Sequence, residues 1–439
     1  MHISTRLSKF LVLGIATVLI VSAIDYMRLL GYEWGPGWDF KCGCDAAYAL
    51  FKGLNPYKSL DYSFIRNSFT YLPFWLPIHG LLCMALNVTD VATTIIYYPV
   101  YLGAFLLALR LATIKSYFAS FERSIFAGII LSGLAGFLWI MRTGNIAFLD
   151  TIFFLFAITC LLRFCQTQKL AVLRAFAVLF GCFMAVKTAT LAFVVLMVLL
   201  PTSPRRKLEA VAIALGVALL PLLISYAVYP NLMVQYFLML QNNIEGNVNP
   251  HLCSVSVYCL FLNEVFAPTA LPLRADFTHI LSQAVPTLLL TSAIVYLAGT
   301  KNRRALLSLA TRDPERRLSF QFKGSSFDLF LLAFIYLQIL TPRLKEYTFG
   351  LIAIAFAHLV VRMPVSPREK VCLAFYLSIP VLRFFVPIDV DRFFYVQLFV
   401  AITAFLYITF RCCEEIDSVS AKDDASPITY WAGRESTSP

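Results

Sequence analysis

Long apolar runs, joined by short polar connections, constrain this chain more than any other feature. They cover Phe10–Ile24, Tyr71–Leu86, Val91–Thr113, Ser124–Ile140, Ile146–Leu162, Leu170–Val186, Thr188–Leu200, Ala210–Tyr229, Phe277–Ala298, Phe327–Leu340, Phe349–Val361, Val371–Val386 and Phe393–Phe410. A bilayer crossing takes ~20 predominantly apolar residues and must satisfy its own backbone polar groups, which a helix does. The pattern predicts an all-α polytopic membrane protein with about 12 (11–13) transmembrane helices.

Charge fixes the orientation. Only 14% of residues are charged, against ~25% in soluble domains, and the net charge of +11 falls in the short intervals between runs. That distribution reads as positive-inside bias and contact with anionic lipid headgroups, and gives no reason to expect a nucleic-acid partner. Arg205, Arg206 and Lys207, and the interval Lys301 to Lys323 with seven basic and two acidic residues, mark cytoplasmic ends. Arg6 and Lys9 precede the opening run, which reads as a retained signal anchor, although Val21-Ser22-Ala23 offers a weak cleavage-like site.

Residues 1–410 are thus expected to form a single transmembrane domain. The first outer loop spans 31–70, a second large one spans 230–276, and shorter ones cover Thr341–Tyr347 and Pro387–Asp391. Residues 411–439 form a flexible cytoplasmic tail. Both termini in the cytoplasm require an even number of crossings, whereas the runs number thirteen. Either one is a half-helix or two are one broken helix; the candidates are Tyr71–Leu86, interrupted by Pro73, Pro77 and His79, and the pair flanking Lys187.

The eleven cysteines lie mostly singly in apolar runs, with no zinc spacing. No metal and no cofactor is expected. Cys42 and Cys44 are too close for an easy bridge, Cys253 and Cys259 could pair in an outer loop, and Cys412 with Cys413 suits palmitoylation.

Polar chemistry concentrates in the outer intervals. Asp39 opens a short amphipathic run ending at Gly53, with Phe40, Cys44, Ala47 and Phe51 on one face and Lys41, Asp45 and Lys52 on the other. A helix there would lie at the membrane surface with its apolar face down. Asp39 is either its N-cap or a base for an acceptor hydroxyl, and the two roles are compatible. Asp45 is the rival acid, but Lys41 can pair with it on the solvated side.

Asn55-Pro56-Tyr57 reads as a turn, and Arg142-Thr143-Gly144-Asn145 as a tight outer connection. Lys187 lies in an apolar run; it either snorkels or faces an anion. Thr341-Pro342-Arg343-Leu344-Lys345-Glu346-Tyr347 places two cations on an outer face where the charge bias disfavours them, which suits a lipid phosphate. Asn242, Asn243, Glu245, Asn247 and His251 in the second loop could hydrogen-bond a sugar, with His251 also able to donate to phosphate.

In order, Asp39-Phe40, Gly53-Leu54-Asn55-Pro56-Tyr57, Tyr71-Leu72-Pro73, Gly144-Asn145-Ile146, Lys187 and Thr341-Pro342-Arg343 resemble glycosyltransferase family 87, also called DUF2029. The family has the GT-C fold and includes polyprenyl-phosphate-mannose-dependent mannosyltransferases. The resemblance implies a GT-C type bundle, a polyprenyl-phosphate sugar as donor, and a glycolipid or glycan acceptor on the non-cytoplasmic face of a plasma membrane. By the same resemblance Asp39 is the catalytic residue. Arg343, Lys345, Lys187 and His251 would bind the donor phosphate, and Asn55, Tyr57, Tyr71, Asn145, Asn243, Glu245 and Tyr347 the substrates. Two departures, the absence of glutamine before Asn145 and Thr188-Ala189 in place of a proline after Lys187, weaken the case for mannose specifically. The competing class is a transporter or flippase of a lipid-linked saccharide; such proteins often carry internal repeats and paired intramembrane charges.

Overall fold

The structure, a computed structural model, describes residues 37–57, 71–88, 96–114, 120–246, 256–262, 275–301, 325–341, 344–384 and 395–412, with Ile20 and Ile24. Outside them fall most of the opening run, Cys253 and with it the expected pairing with Cys259, His251, Pro342, Arg343, Pro387–Asp391, most of the Lys301 to Lys323 interval and the tail from residue 413.

The described residues are mostly helical, and no strand occurs among them. Their α-helices are α1 (Trp38–Phe51), α2 (Trp75–Ala85), α3 (Tyr97–Ile114), α4 (Ser120–Ser132), α5 (Gly136–Thr143), α6 (Ala147–Thr167), α7 (Leu170–Val186) and α8 (Pro204–Val228). These are followed by α9 (Pro230–Gly246), α10 (Val257–Leu260), α11 (Ala275–Lys301), α12 (Ser326–Leu340), α13 (Phe349–Arg362), α14 (Pro367–Ser378) and α15 (Val396–Cys412). Short 3₁₀ segments join α4 to α5, precede α13 and extend α14, and a long one covers Thr188–Leu199.

Among the described residues, three stretches are each long and apolar enough to cross a bilayer alone: Phe121–Thr143, Ala147–Thr167 and Pro204–Val228. The chain is an integral, polytopic membrane protein. Its lipid-facing surface shows on α8, where Leu208, Leu223 and Tyr226 are 70%, 63% and 69% exposed; a soluble protein would bury such a stripe. Inside, aromatic rings fill the bundle, with Phe154 stacked on Phe334 at 4.2 Å and Phe105 on Phe137 at 4.3 Å.

The bundle has two chemically distinct ends. At one, ion pairs join neighbouring helices: Arg174 with Glu209 at 2.7 Å, Arg362 with Asp328 at 3.0 Å, Lys370 with Glu122 at 3.4 Å and Arg411 with Glu369 at 3.0 Å. Arg205, Arg206 and Lys207 begin α8 at this same end. The opposite end gathers α1, α2, α9, the Arg142–Asn145 turn, Lys187 and Lys345.

The contacts also settle which run fails to cross. Arg174 meets Glu209 and Gly181 lies against Ala214 and Val217, so α7 and α8 are parallel. Lys207 Nζ donates to Val198 O at 2.5 Å, so the 3₁₀ helix between them runs back the other way. The pair flanking Lys187 is therefore two passes that reverse at Lys187, whose backbone is extended (φ −132°, ψ 126°). By contrast α2 has only 11 residues, about 16 Å of helix. It is held at its far end by the Cys44–Cys83 disulfide and, just beyond, by Tyr48 Oη donating to Val88 O at 3.0 Å. The run Tyr71–Leu86 stays at one end with α1, and removing it leaves an even number of candidates.

Three further expectations need correction. The stretch from Pro230 is not simply a loop, since α9 occupies Pro230–Gly246 and buries Met233, Tyr236 and Met239 against Ala46, Tyr57, Leu72 and Trp75. Helix α1 does not lie on a surface with one face solvated: Lys41 and Cys42 are buried along with Phe40, Cys44 and Ala47, while Phe51 is exposed. The Lys41–Asp45 pair forms at 2.7 Å, but in a largely enclosed setting.

One crossing is bent. Between α4 and α5, Leu134 and Ala135 both take left-handed φ of 53°, a costly conformation for residues with a Cβ. Directly after the bend the backbones of α5 and α13 touch: a Cβ on Gly136 would lie 2.0 Å from the Gly350 nitrogen.

Candidate active site

The site is built where α1 meets the Arg142–Asn145 turn. Gly37 (φ 75°) is the N-cap of α1 and makes no side-chain cap bond; its N–H donates instead to Arg142 O at 2.9 Å. Asp39 is the second residue of the helix, so it is not the N-cap, and its carboxylate turns toward the neighbouring turn. Phe40 anchors the helix by stacking on Tyr97 at 5.3 Å and meeting Tyr101 edge-on at 6.2 Å. Gly144 permits the approach. Its φ of 66° is left-handed, and a Cβ there would lie 2.7 Å from Phe40 Cβ.

Asn145 is the hub. Its Nδ2 donates to Asp39 Oδ2 at 2.8 Å, while its Oδ1 accepts from Tyr71 Oη at 2.9 Å and from Ala147 N at 2.8 Å. Those two donors on Oδ1 leave only one orientation for the amide, so an N–H must face Asp39. Asn145 is 4% exposed. Burial pushes the Asp39 carboxyl above the ordinary carboxylate range; bonds from Asn145 and Thr143 and the charges of Lys345 and Lys187 oppose that rise. The result is a carboxylate with more than usual affinity for a proton and a fixed hydrogen-bond donor. Burial and nearby anions hold the Tyr71 phenol well above its usual range, so it remains a donor.

Behind Tyr71 lies a supporting chain. Tyr57 Oη donates to Tyr71 O at 2.9 Å, Tyr57 N donates to Asn55 Oδ1 at 2.9 Å, and Asn55 Nδ2 donates to Gln235 Oε1 of α9 at 3.1 Å. Asn55 and Tyr57 thus form the expected turn and brace Tyr71 from within. The backbones of Asn243 and Glu245 belong to the last turns of α9.

Lys187 does not snorkel. Its Nζ lies 2.9 Å from Asp150 Oδ2 and 4.6 Å from the Tyr347 ring centroid, a cation–π contact. Lys345, just before the 3₁₀ turn Glu346–Thr348, joins Lys187 in acting on Asp39. The structure therefore brings together Asp39, Tyr71, Asn145, Lys187, Lys345 and Tyr347 from five separate stretches. Arg343 and His251 lie outside the described residues.

Sequence reasoning missed Asp150, Thr143, Gln235 and the setting of Arg142, whose guanidinium lies 4.9 Å from the Trp139 ring, 5.7 Å from Phe384 and 6.0 Å from Trp38. It also missed the Cys44–Cys83 disulfide, which fastens α1 to α2. For Asp150 a signal existed: an acid inside an apolar run needs a partner, and Lys187 was a cation in a neighbouring apolar run. Among the described residues, no group of three His, Cys, Asp or Glu could hold a metal ion.

Fold and site together define a polytopic helical membrane protein with a carboxylate–amide–cation cluster at one end. No protein-family model and no curated protein matches the chain. Among solved structures it is similar to the Archaeoglobus fulgidus oligosaccharyltransferase in its apo form, at 11% identity and a TM-score of 0.39, over 92% of this chain and 57% of that one. It is also similar to the archaeal oligosaccharyltransferase AglB from Archaeoglobus fulgidus in complex with an inhibitory peptide and a dolichol-phosphate, at 12% identity and a TM-score of 0.35, over 92% and 56%. The chain spans somewhat more than half the length of these proteins. Likeness at that level does not carry a reading of this chain, which rests on its own residues.

Proposed function

We propose that this chain is a membrane-embedded inverting glycosyltransferase of the GT-C type. It moves a hexose, mannose by the family 87 resemblance, from a polyprenyl-phosphate donor to a lipid or glycan acceptor on the non-cytoplasmic face. The observation that carries the reading is Asp39, held by Asn145 with Lys187 and Lys345 close by.

A displacement at an anomeric carbon needs both components. As the acceptor oxygen bonds to the anomeric carbon, its proton passes to the Asp39 carboxylate. The bond from that carbon to the phosphate oxygen breaks on the opposite side, inverting the configuration. Negative charge then gathers on the departing phosphate, where Lys187, Lys345 and Arg343 stabilise it, with His251 a further donor. The lipid donor arrives through the bilayer, so the reaction requires no nucleotide fold. Asn243, Glu245 and Tyr347 are placed on the substrate side of this scheme.

Orientation has its own support. Disulfides persist in oxidising compartments, and Cys44–Cys83 lies at the site end, while Arg205, Arg206 and Lys207 lie at the other. This reading places the site outside a plasma membrane and both termini in the cytoplasm.

The test is Asp39→Asn, assayed by transfer of radiolabelled mannose from polyprenyl-phosphate mannose into membrane lipids and glycans. The amide keeps the shape but cannot take the proton, so transfer falls by roughly 10²- to 10⁴-fold. Stability should not fall with it. A carboxyl whose folded pKa is raised contributes stability below its unfolded value and loses that contribution as pH rises through the folded one. Ionising Asp39 where burial raises its carboxyl costs stability that a neutral asparagine does not, so the melting temperature should hold or rise. Full transfer by Asp39→Asn would end the proposal.

A further inference from the structure

Helix α6 begins beside the amide that grips Asp39, and one turn later it carries Asp150. That carboxylate is 1% exposed and lies against Lys187, whose side chain is 22% exposed. The pair is asymmetric: the acid is sealed within the bundle, while the ammonium side chain keeps some exposure. Tyr347 covers the ammonium from the side.

Such a pair is expensive. Desolvating both charges costs several kcal/mol per ion, and an apolar pair of similar volume often serves stability as well or better. The backbone at Lys187 is extended, at the reversal between α7 and the following 3₁₀ helix. Both features place one ammonium at a fixed depth, close enough to bear on Asp39.

We infer that Asp150 is a positioning residue that fixes the Lys187 ammonium against the phosphate of the lipid-linked donor. The inference rests on the glycosyltransferase reading and deepens it. The first turn of α6 then orders both halves of the reaction, with Asn145 orienting the proton acceptor and Asp150, through Lys187, orienting the charge that receives the leaving group. The ligand class follows from the chemistry: a phosphate on an apolar chain, a diester while it carries the sugar and a monoester once the sugar has left, met by an ammonium whose opposite side is already neutralised.

The experiment separates this role from simple structural pairing by measuring binding without turnover. Polyprenyl phosphate lacking a sugar is titrated into detergent-purified protein and followed by thermal shift. Three forms are compared: unmodified protein, Asp150→Asn, and the double variant Asp150→Leu with Lys187→Met, which removes both charges at similar volume and so keeps a folded bundle. Asp150→Asn should need about 10-fold or more polyprenyl phosphate for half its shift, the loss expected when a hydrogen bond to a charged group is weakened. The double variant should fold but lose most of the shift. In transfer assays Asp150→Asn should raise the donor KM and leave the acceptor KM unchanged. If either Asp150→Asn or the double variant binds polyprenyl phosphate as tightly as the unmodified protein, the pair is structural and the inference is overturned. If the unmodified protein itself gains no stability from polyprenyl phosphate, the donor reading falls and takes the inference with it.

Discussion

Replacing Asn145 by aspartate sets a second carboxylate against Asp39 without altering the shape of the turn. Asn145 Nδ2 now donates to Asp39 Oδ2 at 2.8 Å; after the change, an oxygen occupies that place. Two carboxylates about 4 Å apart repel by about 4 kcal/mol at an effective dielectric of about 20, or about 3 pKa units at 1.36 kcal/mol each. The pair then shares one proton and titrates as a unit. Asn145→Ala removes the donor without adding charge; a hydrogen bond to a charged group contributes about 1.5–3 kcal/mol, so a smaller shift in the same direction follows. Burial already raises the Asp39 carboxyl, and the amide is among the groups that restrain it. Both variants therefore move the acid limb of the pH–rate profile upward, Asn145→Asp further than Asn145→Ala. The assay is transfer from polyprenyl-phosphate mannose between pH 5 and pH 9. Activity lost at pH 7 should return in part at the alkaline end. A uniform loss with an unmoved profile would refute the claim that Asn145 acts through the charge of Asp39.

Two predictions concern the scaffold. Cys44 and Cys83 are 39 residues apart, so Cys83→Ser should cost about 4 kcal/mol on the chain-entropy view and lower transfer by loosening the helix that carries Asp39; peptide mapping without reductant should recover the two segments joined, and two free thiols would remove the premise. Gly136→Ala should destabilise by more than the roughly 1–3 kcal/mol usual for overpacking, because its Cβ would meet the Gly350 nitrogen at 2.0 Å, whereas Gly103→Ala in α3, with nothing within 4 Å, should be neutral or stabilising; thermal melts of the two variants give the comparison, and equal melts would contradict the contact.

How much of this was legible beforehand depended on the kind of signal. Helix positions follow from runs of apolar residues, and Leu170–Val186 was read with the bounds it has in the fold. The helix α9 escaped because its length of chain suggested a loop, although Met233, Tyr236 and Leu240 repeat at helical spacing. The N-cap role offered for Asp39 failed for a local reason, since Gly37 begins the helix with a backbone bond to Arg142 that no residue pattern announces. Tyr71, Asn145, Lys187 and Lys345 could be nominated by type and order, but their convergence on Asp39 depends on packing. The Cys44–Cys83 pairing was the least legible, because it depends on how two short helices lie together and not on spacing along the chain.

The contact between Gly136 and Gly350 has a mechanical meaning. With no side chain between them, α5 and α13 meet backbone to backbone, and side-chain rotation cannot take up a displacement of one against the other. Toward the site, α5 leads within two turns to Arg142–Asn145, and α13 begins directly after Lys345–Thr348. A lipid phosphate pulling on the second segment would therefore move the first almost without slack. Under the proposed function, the segment carrying Lys345 and the turn carrying Asn145 would act as two arms of one lever, with the glycine pair as its fulcrum.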